Sequence, residues 1–146
     1  IPVFGKLIRE SNYSLFCRTL ALLFSSGTNI TQALEIISNS LSNHILKTSV
    51  LNFSNEVKKG KSLSMVIDED KNFPIMISKM VEVGEETGKT DEILERLANY
   101  YQDEVDRLVK NLQTALEPLI MIGLGIMVAL LMVSVITPIY KLTTAF

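Results

Sequence analysis

The chain has 146 residues, about the size of one ordinary domain. Its 14 basic and 16 acidic side chains give a net charge of −2, which argues against a polybasic nucleic-acid binder, and 47 % hydrophobic residues argue against a disordered chain. A single cysteine, Cys17, and a single histidine, His44, exclude an internal disulfide and any metal site built from several thiolates or imidazoles.

The first part of the chain is predicted to be a connector followed by helices. Residues 1–12 are interpreted as the connector. Apolar residues with a 3.6-residue period predict a first helix over 13–25, which ends at Gly27. Asn29, with Gln32 three residues later, has the spacing of a capping box and predicts the start of a second helix.

Three further helices are predicted by their end signals. Ser42 is a candidate cap for a third helix, which ends at Gly60, and Ser62 begins a short fourth helix. Phe73-Pro74 begins the fifth helix, because proline is well placed at a first helical position. With no alternation of period two anywhere in the chain, we expect an all-α protein.

The last soluble helix is predicted to begin after Gly88, with Thr90 or Asp91 as its cap. Its apolar stripe alternates between three and four residues, which is typical of a packed helix. The stripe consists of Leu94, Leu97, Tyr101, Val105, Leu108, Leu112 and Ala115. Six helices joined by short loops predict an antiparallel bundle over 13–116.

A run without any charge, residues 118–140, predicts a membrane-spanning helix. Its core, residues 119–136, rises roughly 27 Å as a helix, close to the roughly 30 Å of a bilayer core. A buried helix of a soluble protein is the alternative interpretation of this run. The predicted organisation is a connector at 1–12, a bundle at 13–116, a transmembrane helix at 117–140 and a tail at 141–146.

Basic residues near this segment predict its orientation. Arg107 and Lys110 precede it and only Lys141 follows it, so the positive-inside bias places the bundle in the cytoplasm. Gly125 and Ala129 lie four residues apart, a spacing that permits close contact with another helix.

Two prolines are expected to interrupt this part of the chain. Pro118 lacks a backbone donor and disfavours helix at Glu117, so we expect a bend or a broken turn there. Pro138 is expected to interrupt the helix in the same way near the C-terminal end of the uncharged run. Glu117 then lies either in the wet interface or against a partner.

Acidic residues are concentrated between residues 82 and 106, with 9 carboxylates and 2 bases. This stretch is interpreted either as a solvated face or as a docking surface for a basic partner. Binding of a divalent cation by Glu82, Glu85 and Glu86 is a third interpretation, although the spacing of an EF-hand is absent. The residues singled out for docking are Glu82, Glu86, Glu92, Glu95 and Asp103.

No sequence motif indicates catalysis, a cofactor or a bound metal. Phosphate-binding glycine-rich loops are absent, and the surroundings of His44 show no nucleophile elbow. His44 is interpreted as a surface residue and Cys17 as a small core residue.

The chain resembles the F domain of type II secretion systems and its type IV pilus counterparts. The resemblance covers nearly the whole chain, from Phe16 to Tyr140, and depends on the ordered combination of several short motifs. Its motif residues are Gly60, Phe73, Pro74, Gly84, Glu85, Gly88, Glu117, Pro118 and Pro138. Lys89-Thr90 departs from the family pattern, where a hydrophobic residue often follows the glycine.

The resemblance implies a non-catalytic platform protein of the bacterial inner membrane, with a first bundle and two membrane helices before Ile1. It implies four kinds of partner: a cytoplasmic assembly ATPase, pilin or pseudopilin subunits, other inner-membrane assembly proteins and a second copy of itself. A single-span receptor with a helical ligand-binding domain is the alternative function.

Within the resembling motif, three residues are expected to have structural roles. Gly84 permits close approach of a neighbouring helix, and Gly88 ends a helix with a positive φ. Glu85 accepts hydrogen bonds either from a helix N-terminus or from Arg18.

Overall fold

Six α-helices make up the structure, a computed structural model that describes residues 2–145. They are α1 (Pro2–Ser25), α2 (Ile30–Ser40), α3 (His44–Lys58), α4 (Leu63–Asp68), α5 (Ile75–Thr87) and α6 (Thr90–Thr144). No strand occurs among the described residues. The predicted fold class, all-α with six helices and an apolar C-terminal helix, is therefore confirmed.

The chain divides into two units, Ile1–Leu108 and Val109–Phe146, and α6 contributes residues to both. In the first unit α1 packs on α2, α2 on α3, α3 on α4 and α4 on α5. Helix α6 joins this unit through α1, because the Ser14 hydroxyl donates a hydrogen bond to the carbonyl of Ala98.

Helix α1 is longer than the sequence pattern predicted. It begins at Pro2 instead of Tyr13, so the described residues of the predicted connector are helical. The early turns are largely exposed, and only from Asn12 onward does α1 bury side chains. Apolar periodicity could not detect these turns, because it reports a buried face and they have none.

Helix α3 begins with a different cap from the predicted one. Its N-cap is Asn43, whose side-chain oxygen accepts hydrogen bonds from the backbone nitrogens of Ile45 and Leu46. The backbone nitrogen of Ser42 instead donates to the side chain of Asn12 on α1. The cap at Ser42 was therefore a wrong prediction, because a tertiary contact takes up that residue.

The other predicted helix ends agree with the structure more closely. The side chains of Asn29 and Ser62 accept backbone hydrogen bonds at the starts of α2 and α4. Gly60 has φ +99° after α3, and Gly88 has φ +73° after α5. Residues other than glycine rarely adopt such φ values. Pro74 is the N-cap of α5 and not its first helical residue.

Aromatic side chains form the centre of the core in the first unit. Phe73, in the loop before α5, has its ring centroid 5.1 Å from that of Phe16 on α1 and 5.0 Å from that of Phe53 on α3. The ring of Tyr13 lies 5.5 Å from Phe73 and edge-on to Tyr101 of α6. Such tilted and edge-to-face pairs stabilise a core beyond simple burial. Phe73 thereby joins its loop to α1 and α3, and Tyr13 extends the cluster to α6.

The second unit contains the apolar part of α6. Helix α6 is the one helix in the described residues that is long and apolar enough to cross a membrane. The helix continues through Pro118 and Pro138, so of the bend or broken turn expected at Pro118 the broken turn is wrong. A proline removes one hydrogen bond, while the neighbouring turns keep theirs, and prolines are tolerated in membrane helices for that reason.

Candidate functional site

An acidic groove between α1 and the start of α6 brings two of the predicted docking residues together. It is a cavity of about 370 Å³. Its charged lining consists of Arg18 on α1 and of Asp91, Glu92 and Glu95 on α6, and its apolar lining includes Leu22. Arg18 also donates a hydrogen bond to the side chain of Asn99 at 3.2 Å. Three carboxylates against one guanidinium make the groove net acidic, which suits a basic partner.

The other predicted docking residues lie outside this groove. Glu82 and Glu86 are exposed on α5, and the Glu82 carboxylate lies 3.7 Å from the ammonium of Lys79. Asp103 is exposed on α6, more than two turns beyond Glu95. The acidic stretch thus spreads over two helices, and only its part at the start of α6 lines a cavity with α1.

Gly84 of α5 lies directly against the start of α6. A Cβ atom built on Gly84 would lie 2.8 Å from the Cα of Thr90 and 3.3 Å from its nitrogen. These are backbone atoms, which cannot turn away as a flexible side chain can. The close approach of α5 and α6 therefore depends on the missing side chain of Gly84, and residues 84–90 form a tight helix–turn–helix connection.

Glu85 connects α5 to the N-terminus of α4. Its carboxylate accepts a hydrogen bond from the Ser64 hydroxyl at 2.6 Å and from the Ser64 backbone nitrogen at 3.2 Å. Of the two partners expected for Glu85, the helix N-terminus is the one in the structure. Arg18 contacts Asn99 instead.

A second cavity, of about 430 Å³, lies at the start of α1. Its rim carries three cations, Lys6 and Arg9 of α1 and Lys71 of the α4–α5 loop. Glu10 also lines it, and its Oε2 atom is buried without a hydrogen-bond partner. Burial raises the pKa of Glu10, while the nearby charge of Lys6 opposes that rise.

Sequence reasoning missed this basic cavity. Lys6 and Arg9 are three residues apart, which places both side chains on one face of a helix. That spacing was a usable signal, but the region was interpreted as a connector. Lys71 joins them only through the fold.

The remaining candidates for chemistry have ordinary surroundings. Cys17 is fully buried, and burial raises the pKa of its thiol, which disfavours the reactive thiolate. His44 is exposed at the start of α3. Within residues 2–145, no group of three or more histidine, cysteine or acidic side chains is arranged to hold a metal.

A helical unit and a candidate membrane span together define a membrane-associated helical module. Over residues 16–138 the chain matches the family described as "Type II secretion system (T2SS), protein F". The chain belongs to this family, which confirms the resemblance found from its motifs.

The relatives include proteins named for type IV pilus assembly and for type II secretion. The chain is 38 % identical over 143 residues to the type IV pilus assembly protein PilC of Thermus thermophilus. It is 36 % identical over 142 residues to PilC of Pseudomonas aeruginosa, and 32 % identical over 142 residues to the type II secretion system protein F of Aeromonas hydrophila. Each alignment covers 97 % of this chain but only 35 %, 38 % and 37 % of these relatives, respectively. The chain thus spans about a third of the length of the curated relatives it matches.

Proposed function

We propose that this chain is the second cytoplasmic bundle and last membrane helix of a non-catalytic platform protein in the bacterial inner membrane. In this role it couples a cytoplasmic assembly ATPase to the movement of pilin or pseudopilin subunits into a growing filament. The observation that carries the proposal is the family match, which extends from the helical unit through the apolar segment.

The acidic groove is the proposed contact for the ATPase. Its carboxylates, Glu92 and Glu95 among them, are exposed and would steer a basic surface toward α1 and α6. Asp103 extends the same charge along α6. Such a surface acts mainly on the association rate, because exposed charges are screened beyond about 8 Å at physiological salt.

The apolar segment is the proposed contact for the membrane partners. These are pilin or pseudopilin subunits, other inner-membrane assembly proteins and a second copy of the platform. Gly125 and Ala129 lie about one turn apart, and their small size permits a close contact with another helix.

Association kinetics test the ATPase contact. In the full-length platform protein, Glu92→Lys, Glu95→Lys and Asp103→Lys together are expected to slow association with the cognate ATPase and to flatten its salt dependence. Reversal of Glu82 and Glu86 in a parallel variant asks whether α5 contributes. Reversal of Glu35, Asp68 and Glu69, three exposed carboxylates on other elements, is the control that matches the total charge of the triple variant.

Two outcomes would contradict that contact. An unchanged association rate at low salt in the Glu92, Glu95 and Asp103 variant would leave the groove a solvated face. Loss of binding on addition of a chelator alone would assign the acidic residues to a metal.

Topology and catalysis are tested separately. A reporter fused after Phe146 is expected to lie on the non-cytoplasmic side and to show its activity there. The reason is that more basic residues precede the apolar segment than follow it. Activity of that reporter in the cytoplasm would reverse the proposed orientation. The purified protein, freed of ATPase partners, is expected to hydrolyse no ATP above the buffer rate, and hydrolysis that survives repurification would contradict a platform role.

A further inference from the structure

The cavity at the start of α1 has positive charges that no ion pair within residues 2–145 neutralises. Lys6, Arg9 and Lys71 form its rim, and none of the three takes part in an ion pair within residues 2–145. Glu10 is the one carboxylate among the lining residues. Three cations against one carboxylate leave the cavity with a net positive charge that an anionic ligand would neutralise.

One exposed apolar side chain lines the same cavity, and another is next in sequence to its lining. Ile45, which lines it, is 61 % exposed, and Ile75, which directly follows the lining residue Pro74, is 69 % exposed. Cations next to exposed aliphatic groups suit a surface that offers phosphates and hydrocarbon side by side. A phospholipid bilayer is such a surface.

The net charge of the cavity narrows the choice of lipid. Three cations at its rim favour an anionic phosphate, and a zwitterionic headgroup would bring a cation of its own to the same rim. Phosphatidylglycerol carries a phosphate without a cationic group, so it suits the cavity. The Oε2 atom of Glu10 is buried and takes no part in this contact.

The path of the chain favours a membrane over an acidic protein. Tyr13, which lines the cavity, has its ring centroid 5.5 Å from that of Tyr101, so the cavity lies near the part of α6 that leads to Leu108, the last residue of the first unit. Only a short stretch of sequence separates Leu108 from the apolar segment that begins at Leu119. This end of the first unit is therefore the one that the sequence joins most directly to the segment proposed to enter a bilayer.

We propose that the cation-rimmed cavity at the start of α1 docks on the headgroups of anionic phospholipids, phosphatidylglycerol in particular, and holds this end of the bundle against the membrane surface. The inference rests on the membrane insertion that the proposed function requires. It adds a second, electrostatic contact with the bilayer, which involves the helical unit itself.

The chain contains no tryptophan, so one introduced tryptophan can report on its surroundings by fluorescence. The whole chain carrying Ile45→Trp is reconstituted in nanodiscs of phosphatidylcholine alone or with added phosphatidylglycerol, each containing a lipid spin-labelled at its headgroup. Quenching of the tryptophan is expected with phosphatidylglycerol and not with phosphatidylcholine alone. It should weaken at 1 M salt, where the screening length is about 3 Å.

Charge variants identify the cations responsible. Each lysine or arginine near an anionic surface contributes roughly fivefold to binding, so losing Lys6, Arg9 and Lys71 lowers the docking equilibrium by on the order of a hundredfold. Reversal of all three to glutamate should therefore abolish the quenching. The matched control reverses Lys59, Lys89 and Arg96, which are exposed and do not line the cavity, and it should keep the quenching.

A charge-conserving variant guards against misfolding as the cause of any loss. Lys6→Arg, Arg9→Lys and Lys71→Arg together retain all three positive charges and are expected to retain quenching. Resistance of every variant to carbonate extraction from vesicles shows that its apolar segment is inserted. Failed insertion of the unmodified chain would overturn the proposed function, and this inference with it.

Three results would overturn this inference alone, with insertion intact. They are quenching that ignores phosphatidylglycerol, an equal loss of quenching in the control reversal, and full quenching in the reversed cavity variant. If that last variant also blocks filament assembly in cells, the cavity belongs to an acidic protein partner and not to the membrane.

Discussion

The carboxylate of Glu85 on α5 accepts hydrogen bonds from both the hydroxyl and the backbone nitrogen of Ser64, the second residue of α4. The first amides of a helix have no partner within the helix, so Glu85 acts as a cap supplied from another element. A helix of six residues gains little from its own hydrogen bonds, and this contact secures α4 against α5.

Replacing Glu85 with alanine is expected to lower the free energy of unfolding by about 1 kcal/mol, because a charge-assisted hydrogen bond at a partly exposed site is lost. Labelling of Cys17 by a thiol-reactive dye measures the unfolding. Cys17 is the single cysteine, it is fully buried, and the dye reaches it only on unfolding. Glu86→Ala, one residue further along, removes an exposed carboxylate and should change stability by less than about 0.5 kcal/mol. Equal midpoints for the two variants would show that the Ser64 contact contributes nothing.

Gly84→Leu is expected to destabilise the first unit far more than Glu92→Ala. A Cβ at position 84 already lies 2.8 Å from the Cα of Thr90, so a larger side chain must push α5 and α6 apart. Overpacking of this kind typically costs about 1–3 kcal/mol. Glu92 is exposed, and its loss should cost less than about 0.5 kcal/mol.

The same Cys17 labelling compares the Gly84 and Glu92 variants during heating. Gly84→Ala adds only the Cβ and should give an intermediate midpoint. Unchanged stability in both Gly84 variants would mean that residues 84–90 separate easily, contrary to the close contact described above.

Substitutions at Gly88 change the preferred backbone conformation without introducing a steric clash. Gly88 ends α5 at φ +73°, and no atom lies within 4 Å of where its Cβ would be. Gly88→Ala is expected to lower stability by about 1 kcal/mol, because only the left-handed conformation disfavours the side chain. Asparagine tolerates that conformation better, so Gly88→Asn should lose less. An asparagine variant less stable than the alanine variant would contradict this explanation.

Glu10 is expected to make stability depend on pH. Burial raises the pKa of Glu10 in the folded chain above 4.5, its ordinary value in an unfolded chain. At a pH between the unfolded and the folded pKa, the folded chain therefore binds more protons than the unfolded chain. Stability therefore falls as the pH rises through this interval, and the penalty is complete above the folded pKa. Glu10→Gln removes it, so the stability gain of the variant should grow from acidic to neutral pH. A gain that is the same at every pH would show that Glu10 is not the titrating group.

Short-range patterns were sufficient for most of the secondary structure and for the family. Asn29 and Ser62 cap the helices predicted for them, and Gly88 ends α5 with the positive φ that its position required. These features depend on residues within one turn of each other, as does the uncharged run of the apolar segment. The broken turn at Pro118 was a wrong prediction, because one missing hydrogen bond does not end a long helix.

Contacts between helices depended on the tertiary structure. Apolar periodicity shows which face of a helix is buried but not which partner covers it, so the sequence left Glu85 with two possible donors and Ser42 with no sign of its contact to Asn12. The same reason explains the two cavities. Arg18 lines one cavity with the carboxylates at the start of α6, and Lys71 of the α4–α5 loop lines the other with Lys6 and Arg9, only because the fold brings together segments that are distant in sequence.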